Sequence, residues 1–176
     1  MDIKYTIKMH SWWHCGSGLA AGGDADVLTI KDADGLPFIP GKTFKGLVRE
    51  AAEEISPALG YKADVLTEVF GQESSVGTKT FFSDAVIVDG RQKIVENALA
   101  PYMFCNIAST KLENGVAADS SLRQIEVTVP CELEGCILSV PERAEELIEN
   151  SLRYIKRLGF NRNRGLGRCT ILFEKI

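Results

Sequence analysis

Hydrophobic and polar residues alternate along several stretches of the chain, as they do in half-buried strands. Over residues 2–10 the apolar positions are Ile3, Tyr5, Ile7 and Met9, each separated by one residue. Similar patterns predict further strands at 79–88, at 122–129 with extended chain continuing over 131–140, and at 169–173. Each of these strands is expected to turn one face toward a core.

A spacing of three to four residues predicts two main helices. The first carries one apolar stripe, made of Phe44, Leu47, Val48, Ala51, Ala52 and Ile55. Thr43 is its expected N-cap, and Ser56-Pro57 its expected end. The second helix is expected to begin at Pro141 and to be closed by Gly159, with a buried stripe of Leu147, Ile148, Leu152 and Ile155. A shorter helix is predicted at 63–69.

These elements follow one another as strand, helix, strand, strand, helix, strand. That order is the ferredoxin-like split βαβ plan, so we predict an α+β fold with a βαββαβ core and large insertions. The chain of 176 residues fits a single domain, 1–176. One insertion, 108–121, is typical of a hairpin arm turning at Asn114-Gly115.

Composition excludes several classes of protein. No apolar run approaches the roughly 20 residues of a membrane span, and the first residues lack the features of a signal peptide. The five cysteines are odd in number and scattered, which opposes a disulfide framework and favours reduced thiols. We therefore expect a cytoplasmic protein that does not interact with membranes.

The net charge of −4 disfavours nucleic-acid binding unless the charges are segregated. They are segregated in the sequence. Residues 153–175 contain seven Lys and Arg against one acid, Glu174, while acids concentrate at 50–54 and 142–149. The pattern predicts a basic face on an acidic body.

Residues 159–168 form a glycine- and arginine-rich segment with no carboxylate. Its six notable residues are Gly159, Arg162, Arg164, Gly165, Gly167 and Arg168. Glycine permits close backbone approach and arginine matches phosphate oxygens, so the segment is typical of a loop that holds a polyanion. A helix C-cap followed by a solvated turn explains the same residues without a ligand.

Lys42, Lys45 and Arg49 lie at the start of the first predicted helix. These residues either form an ordinary solvated face or add their positive charge to that of the helix N-terminus and so help it to bind an anion. Gly41-Lys42-Thr43 is not a Walker motif, because Leu36 stands where that motif needs its first glycine.

Four separated segments together resemble the RAMP superfamily of CRISPR-associated proteins. They are the glycine-rich acidic loop 16–26, the Gly-Leu-Pro-Phe-Ile-Pro-Gly segment with its following Lys-Gly and Arg over 35–49, Phe-Ser-Asp-Ala at 82–85, and the glycine loop 159–168. The likeness is strongest to the repeated backbone subunit of type III effector complexes. It implies a ferredoxin-like (RRM-like) core that holds guide RNA.

The resemblance also implies partners. Such subunits stack on copies of themselves in a filament along guide RNA, beside other CRISPR effector subunits. A thumb hairpin, expected at about 106–124 here, pushes between bases of the duplex formed with complementary target RNA. The residues expected to contact the guide backbone are Lys42, Lys45, Arg49, Arg162, Arg164, Gly165, Gly167 and Arg168.

In target-cleaving relatives, an aspartate after the first strand cuts the paired target RNA with a divalent metal. The corresponding residue here is Asp24, as catalyst and ligand of Mg²⁺ or another divalent metal, with Asp26 as the second choice. Both aspartates also suit turn geometry, which would make the subunit a purely structural RNA-binding protein. A third reading gives His14 the role of general base in a metal-independent, guide-processing ribonuclease.

Overall fold

The computed structural model describes residues 1–18, 27–71, 80–110, 112–113, 116–118 and 121–176. The strands of this part of the chain are β1 (Ile3–Met9), β2 (Phe81–Phe82), β3 (Phe104–Ser109), β4 (Leu112–Glu113), β5 (Val116–Ala117), β6 (Arg123–Thr128), β7 (Glu132–Leu138) and β8 (Cys169–Lys175). Its α-helices are α1 (Gly41–Leu59), α2 (Ala63–Phe70), α3 (Arg91–Glu96) and α4 (Glu145–Tyr154). No helix in these ranges combines the length and apolar character needed to cross a membrane.

Four antiparallel strands form the main sheet in the order β2-β7-β1-β8. Helix α1 connects β1 to β2, and α4 connects β7 to β8. With its four strands numbered along the chain, the sheet reads 4-1-3-2, which is the ferredoxin-like arrangement. The predicted α+β fold class is therefore confirmed.

The core lies between this sheet and its helices. Ile3, Tyr5 and Ile7 of β1 are fully buried, and the Tyr5 ring stacks on Phe44 of α1 with 4.4 Å between ring centroids. Leu147, Ile148 and Leu152 of α4 are also fully buried, as the predicted stripe required. Alternation in the strand and periodicity in the helices therefore correctly identified the residues that meet in the core.

The opposite face of the sheet is polar. Lys4 and Lys8 of β1 form ion pairs with Glu134 and Glu132 of the neighbouring β7, each at 2.9 Å. Hydrogen bonding to Glu134 also raises the pKa of Lys4. Because both lysines already have a carboxylate partner, this face is a poor source of cations for a ligand.

The hairpin insertion consists of two paired segments. β3 and β6 pair over six residues, from Phe104 opposite Thr128 to Ser109 opposite Arg123. Further along the arm β4 pairs with β5, on either side of residues 114–115, which lie outside the described residues. The structure thus contains the predicted thumb-like hairpin.

Two strand predictions need correction. Of the strand expected over 79–88, the described residues 80–88 have regular pairing only at Phe81–Phe82, followed by isolated bridges at Ala85 and Val86. The extended chain at 122–140 is two strands in different sheets, because β6 pairs with the hairpin and β7 with the core. Pro130 lies between them and cannot donate to either ladder.

The predicted helix ends were also wrong. Helix α1 begins at Gly41 rather than after Thr43, and it runs through Pro57 to Leu59. Pro57 has no amide to donate to the Glu53 carbonyl, and the Ser56 hydroxyl donates to that carbonyl instead at 3.3 Å. Helix α4 ends at Tyr154, because Ile155 adopts an extended backbone, so Gly159 does not close it. Helix α3 was not predicted, and it has no buried residue that would create a periodic signal.

Candidate nucleic-acid interface

The glycine-rich loop folds back onto the segment that follows β1. The Gly167 amide donates to the Trp12 carbonyl at 2.8 Å, and the Phe160 amide donates to the His14 carbonyl at 3.0 Å. Within the loop, the Leu158 amide donates to the Gly167 carbonyl at 2.9 Å. The glycine-rich loop and the chain that leads into the acidic loop, far apart in sequence, are therefore neighbours.

The three glycines of this loop differ in how closely the chain packs around them. An added Cβ would lie 2.3 Å from the His14 carbonyl oxygen at Gly159 and 1.8 Å from the Leu158 carbonyl oxygen at Gly167. Both have positive φ, so glycine is required there by the packing of the chain itself. Gly165 also has positive φ (95°), but open space surrounds its Cβ position. Of the two glycines predicted to contact RNA, only Gly165 is open, since Gly167 uses both its amide and its carbonyl internally.

The arginines of the loop differ in their partners. Arg162 forms a two-pronged ion pair with Glu50 of α1, with nitrogen–oxygen distances of 3.1 and 2.5 Å. These hydrogen bonds hold the pKa of Glu50 below its usual value. Arg164 and Arg168 are exposed, and neither forms an ion pair within the described part of the chain. They are the loop cations best placed to meet phosphate.

The cations at the start of α1 lie on another side of the helix. At 100° per residue, Lys45 is about 140° around α1 from Glu50, the residue that Arg162 binds. Arg49 pairs with Glu53 at 2.7 Å, and burial together with the Arg49 charge lowers the pKa of Lys45. The six predicted cations are thus not gathered into one patch. A ligand that contacts both groups must pass over α1.

The N-terminus of α1 is capped by a residue that sequence reasoning missed. Asp84 accepts the Gly41 amide at 2.7 Å, although the two residues are far apart in the chain. A Cβ on Gly41 would lie 2.1 Å from the Phe82 carbonyl oxygen, so only glycine fits this contact. Asp84 belongs to the Phe-Ser-Asp-Ala segment that carried the family resemblance, and that was the available signal. The helix start therefore already holds a carboxylate rather than an open anion site.

His14 is almost fully buried, with 1% of its surface exposed. Its Nδ1 lies 2.6 Å from the Glu126 carbonyl oxygen, which can only accept, so Nδ1 carries the ring proton. The Nε2 atom is consequently an acceptor, and no residue in the described ranges bonds to it. The neighbouring Trp13 is buried too, and its Nε1 donates to the Val129 carbonyl.

Glu126 of β6 joins the hairpin to the chain that follows the acidic loop. Its carboxylate accepts the Thr29 amide at 3.0 Å and pairs with Lys31 at 2.8 Å. The Ser17 amide, on the other flank, donates to the Leu28 carbonyl at 2.9 Å. Both flanks of residues 19–26 are therefore fastened beside the base of the hairpin.

Asp24 and Asp26, the predicted catalytic pair, lie outside the described residues. In the ranges that the structure does describe, no group of three His, Cys, Asp or Glu side chains is arranged to hold a metal ion. A metal site with three protein ligands is thus not found among the described residues, and a Mg²⁺ site of one or two carboxylates needs no such group. The metal-binding prediction depends on residues 19–26.

A ferredoxin-like core with an inserted hairpin, and a glycine-rich loop packed against the chain that follows β1, define the class of this protein. Residues 6–170 match the family model for RAMPs, the RAMP superfamily, and the chain therefore belongs to that superfamily. No curated protein matches it significantly by sequence.

Two solved structures share the fold over nearly their whole length. One is the cryo-EM structure of the Type III-B Cmr-beta bound to cognate target RNA, with a TM-score of 0.73 and 11% identity, covering 98% of this chain and 97% of the other. The second is the apo state of Type III-B Cmr-beta, with a TM-score of 0.75 and 11% identity, covering 99% and 98%. At this identity the likeness establishes the fold.

Proposed function

We propose that this protein is a guide-RNA-binding backbone subunit of a type III CRISPR interference complex. One observation carries the proposal: the glycine-rich loop, the first turns of α1 and the flanks of the acidic loop meet on one side of a RAMP fold. His14, Thr43 and Phe160, one residue from each of these segments, line a common cavity. The similar Type III-B Cmr-beta is described as bound to cognate target RNA, which supports RNA as the ligand.

Guide binding by this subunit rests on backbone contacts. Arg164 and Arg168 on one side of α1, and Lys42 and Lys45 on another, would contact successive phosphates of a strand that crosses the helix. Such contacts position RNA without reading its sequence. Copies of the subunit stacked along one guide, with other effector subunits at the ends, would make a continuous binding groove in the cytoplasm.

Target cleavage is assigned to Asp24, with Asp26 as the second choice. The attachment of both loop flanks beside the hairpin supports this assignment, because the hairpin is the element proposed to open the guide–target duplex. A divalent metal such as Mg²⁺ would stabilise the charge that develops on the scissile phosphate when it is bound. The contribution of the described chain is to anchor the two flanks of residues 19–26 beside the hairpin.

The test uses the effector complex assembled with guide RNA, a matched target RNA and Mg²⁺. The double variant Asp24→Ala, Asp26→Ala should lose target cleavage by at least about a hundredfold while retaining guide RNA. Asp89→Ala is the matched control, since Asp89 lies exposed in the turn before α3. Cleavage unchanged in the double variant would reject the assigned site, and absence of cleavage in the wild type would make the subunit purely structural.

A second candidate is metal-independent cleavage of guide precursor by His14. Its hydrogen bond from Nδ1 to Glu126 leaves Nε2 as a proton acceptor, which favours this role. Its burial opposes the role, because the attacking 2′-hydroxyl would have to enter the cavity. Cleavage of repeat RNA in EDTA that His14→Asn abolishes would support it, while intact RNA under those conditions would exclude it.

A further inference from the structure

A cavity of about 400 Å³ lies between α1, the chain after β1 and the glycine-rich loop. Its volume falls in the range of ordinary small-ligand pockets. Apolar side chains line most of it, namely Ile39, Phe44, Leu47, Leu158 and Phe160. The cavity therefore suits a largely uncharged group.

The charged residues of the cavity are already paired with each other. Glu50 and Arg162, both in the lining, form the two-pronged ion pair described above. A phosphate entering here would have to separate Arg162 from its carboxylate. The electrostatics thus favour a neutral ligand inside the cavity and leave the phosphates to cations outside it.

His14 presents to the cavity a ring nitrogen that has no partner among the described residues. His14 lines the cavity, and its Nε2 is an acceptor to which nothing in the described ranges donates. Among the described residues, Thr128 Oγ1 is the one fully buried side-chain atom without a partner, so Nε2 opens into the cavity, where a ligand can donate a hydrogen bond to it. Gly16 keeps this atom open, because a Cβ at that position would lie 3.1 Å from Nε2.

Phe160 gives the cavity an aromatic wall. It meets the His14 ring edge-on with 5.9 Å between centroids, and it is 52% exposed. Exposed aromatic rings are the usual platforms for unstacked RNA bases. The Phe160 amide donates a hydrogen bond to the His14 carbonyl, and this bond holds Phe160 at the cavity.

We propose that this cavity binds one unstacked nucleobase of the RNA, stacked on Phe160 and donating a hydrogen bond to His14 Nε2. The inference rests on the proposed RNA-binding function and adds to it a site for a base. Every RNA base has at least one N–H donor on its Watson–Crick edge, so the site accepts any sequence. That tolerance is what a subunit that must hold any guide needs.

The test compares two fluorescently labelled RNA hexamers by anisotropy, one of adenosine and one of purine riboside, which lacks only the exocyclic amine. The wild type should bind the adenosine hexamer about three- to tenfold more tightly, the effect of one neutral hydrogen bond. Gly16→Ala should bind both hexamers alike, because its methyl group covers Nε2. Gly46→Ala is the matched control and should keep the preference, since open space surrounds its Cβ position.

Phe160→Ala provides a second variant that does not depend on core packing. This variant should bind both hexamers about fivefold or more weakly, and to the same extent, because the stacking on Phe160 is lost. Equal affinity of the wild type for the two hexamers, with RNA binding otherwise intact, would overturn the base site alone. Failure of the wild type to bind either hexamer would contradict the proposed function itself.

Discussion

At the scale of single residues, buried polar groups connect parts of the chain that are distant in sequence. Glu126 illustrates this, because it receives hydrogen bonds from His14 and Thr29 and an ion pair from Lys31. Sequence reasoning identified His14 as unusual but had no means of finding its partner 112 residues away. Pairings of this kind depend on the tertiary fold, and no local pattern encodes them.

Asp32 offers a residue-scale prediction on pH. Burial alone would raise its pKa, but hydrogen bonds from the Leu36 and Asp34 amides and from Arg91 lower it overall. A carboxyl with a lowered pKa in the folded state stabilises the protein above its unfolded-state pKa, and that stabilisation is lost as pH falls through the folded value. Asp32→Asn should therefore lower the free energy of unfolding by about 1 kcal/mol at pH 7 and by less near pH 3.

Urea denaturation at the two pH values measures this difference. Asp89→Asn, in an exposed turn, serves as the control and should change stability little at either pH. An effect of Asp32→Asn that is equal at pH 7 and pH 3 would show that the carboxylate charge contributes nothing.

At the scale of elements, periodicity predicted the core residues well and the ends of helices and strands poorly. The stripes of α1 and α4 and the alternation of β1 are found as expected, since each element buries one face. The sequence pattern did not reveal the end of α4, because Ile155 continues the apolar spacing although its backbone is extended. The division of 122–140 into two strands was missed because β6 and β7 look alike in sequence, and only pairing distinguishes them.

The glycine loop gives an element-scale prediction on stability. Gly167→Ala should destabilise the protein by more than about 3 kcal/mol, since its methyl group would overlap the Leu158 carbonyl. Gly165→Ala should cost only about 1 kcal/mol, the strain of positive φ in open space. Thermal and urea unfolding of the two variants measure both values. Similar losses of stability in the two variants would mean that Gly167 does not pack against the Leu158 carbonyl as described.

At the scale of the whole molecule, charge is distributed over two faces. The open face of the sheet neutralises its lysines through cross-strand pairs with Glu132 and Glu134. The face that carries the glycine-rich loop keeps Arg164 and Arg168 exposed. A protein with a net charge of −4 can thus still present a cationic path to RNA. The RNA is expected on the loop face, although the open sheet is the RNA-binding surface of many RRM-like folds.

The most direct test of the account is to map where guide RNA touches this chain. Ultraviolet crosslinking of guide RNA in the assembled complex, followed by mass spectrometry of the peptides, gives that map. We predict crosslinks within 39–50 and 155–168, with Phe160 prominent among them. Crosslinks confined to β1 and β8, on the open face of the sheet, would contradict the account.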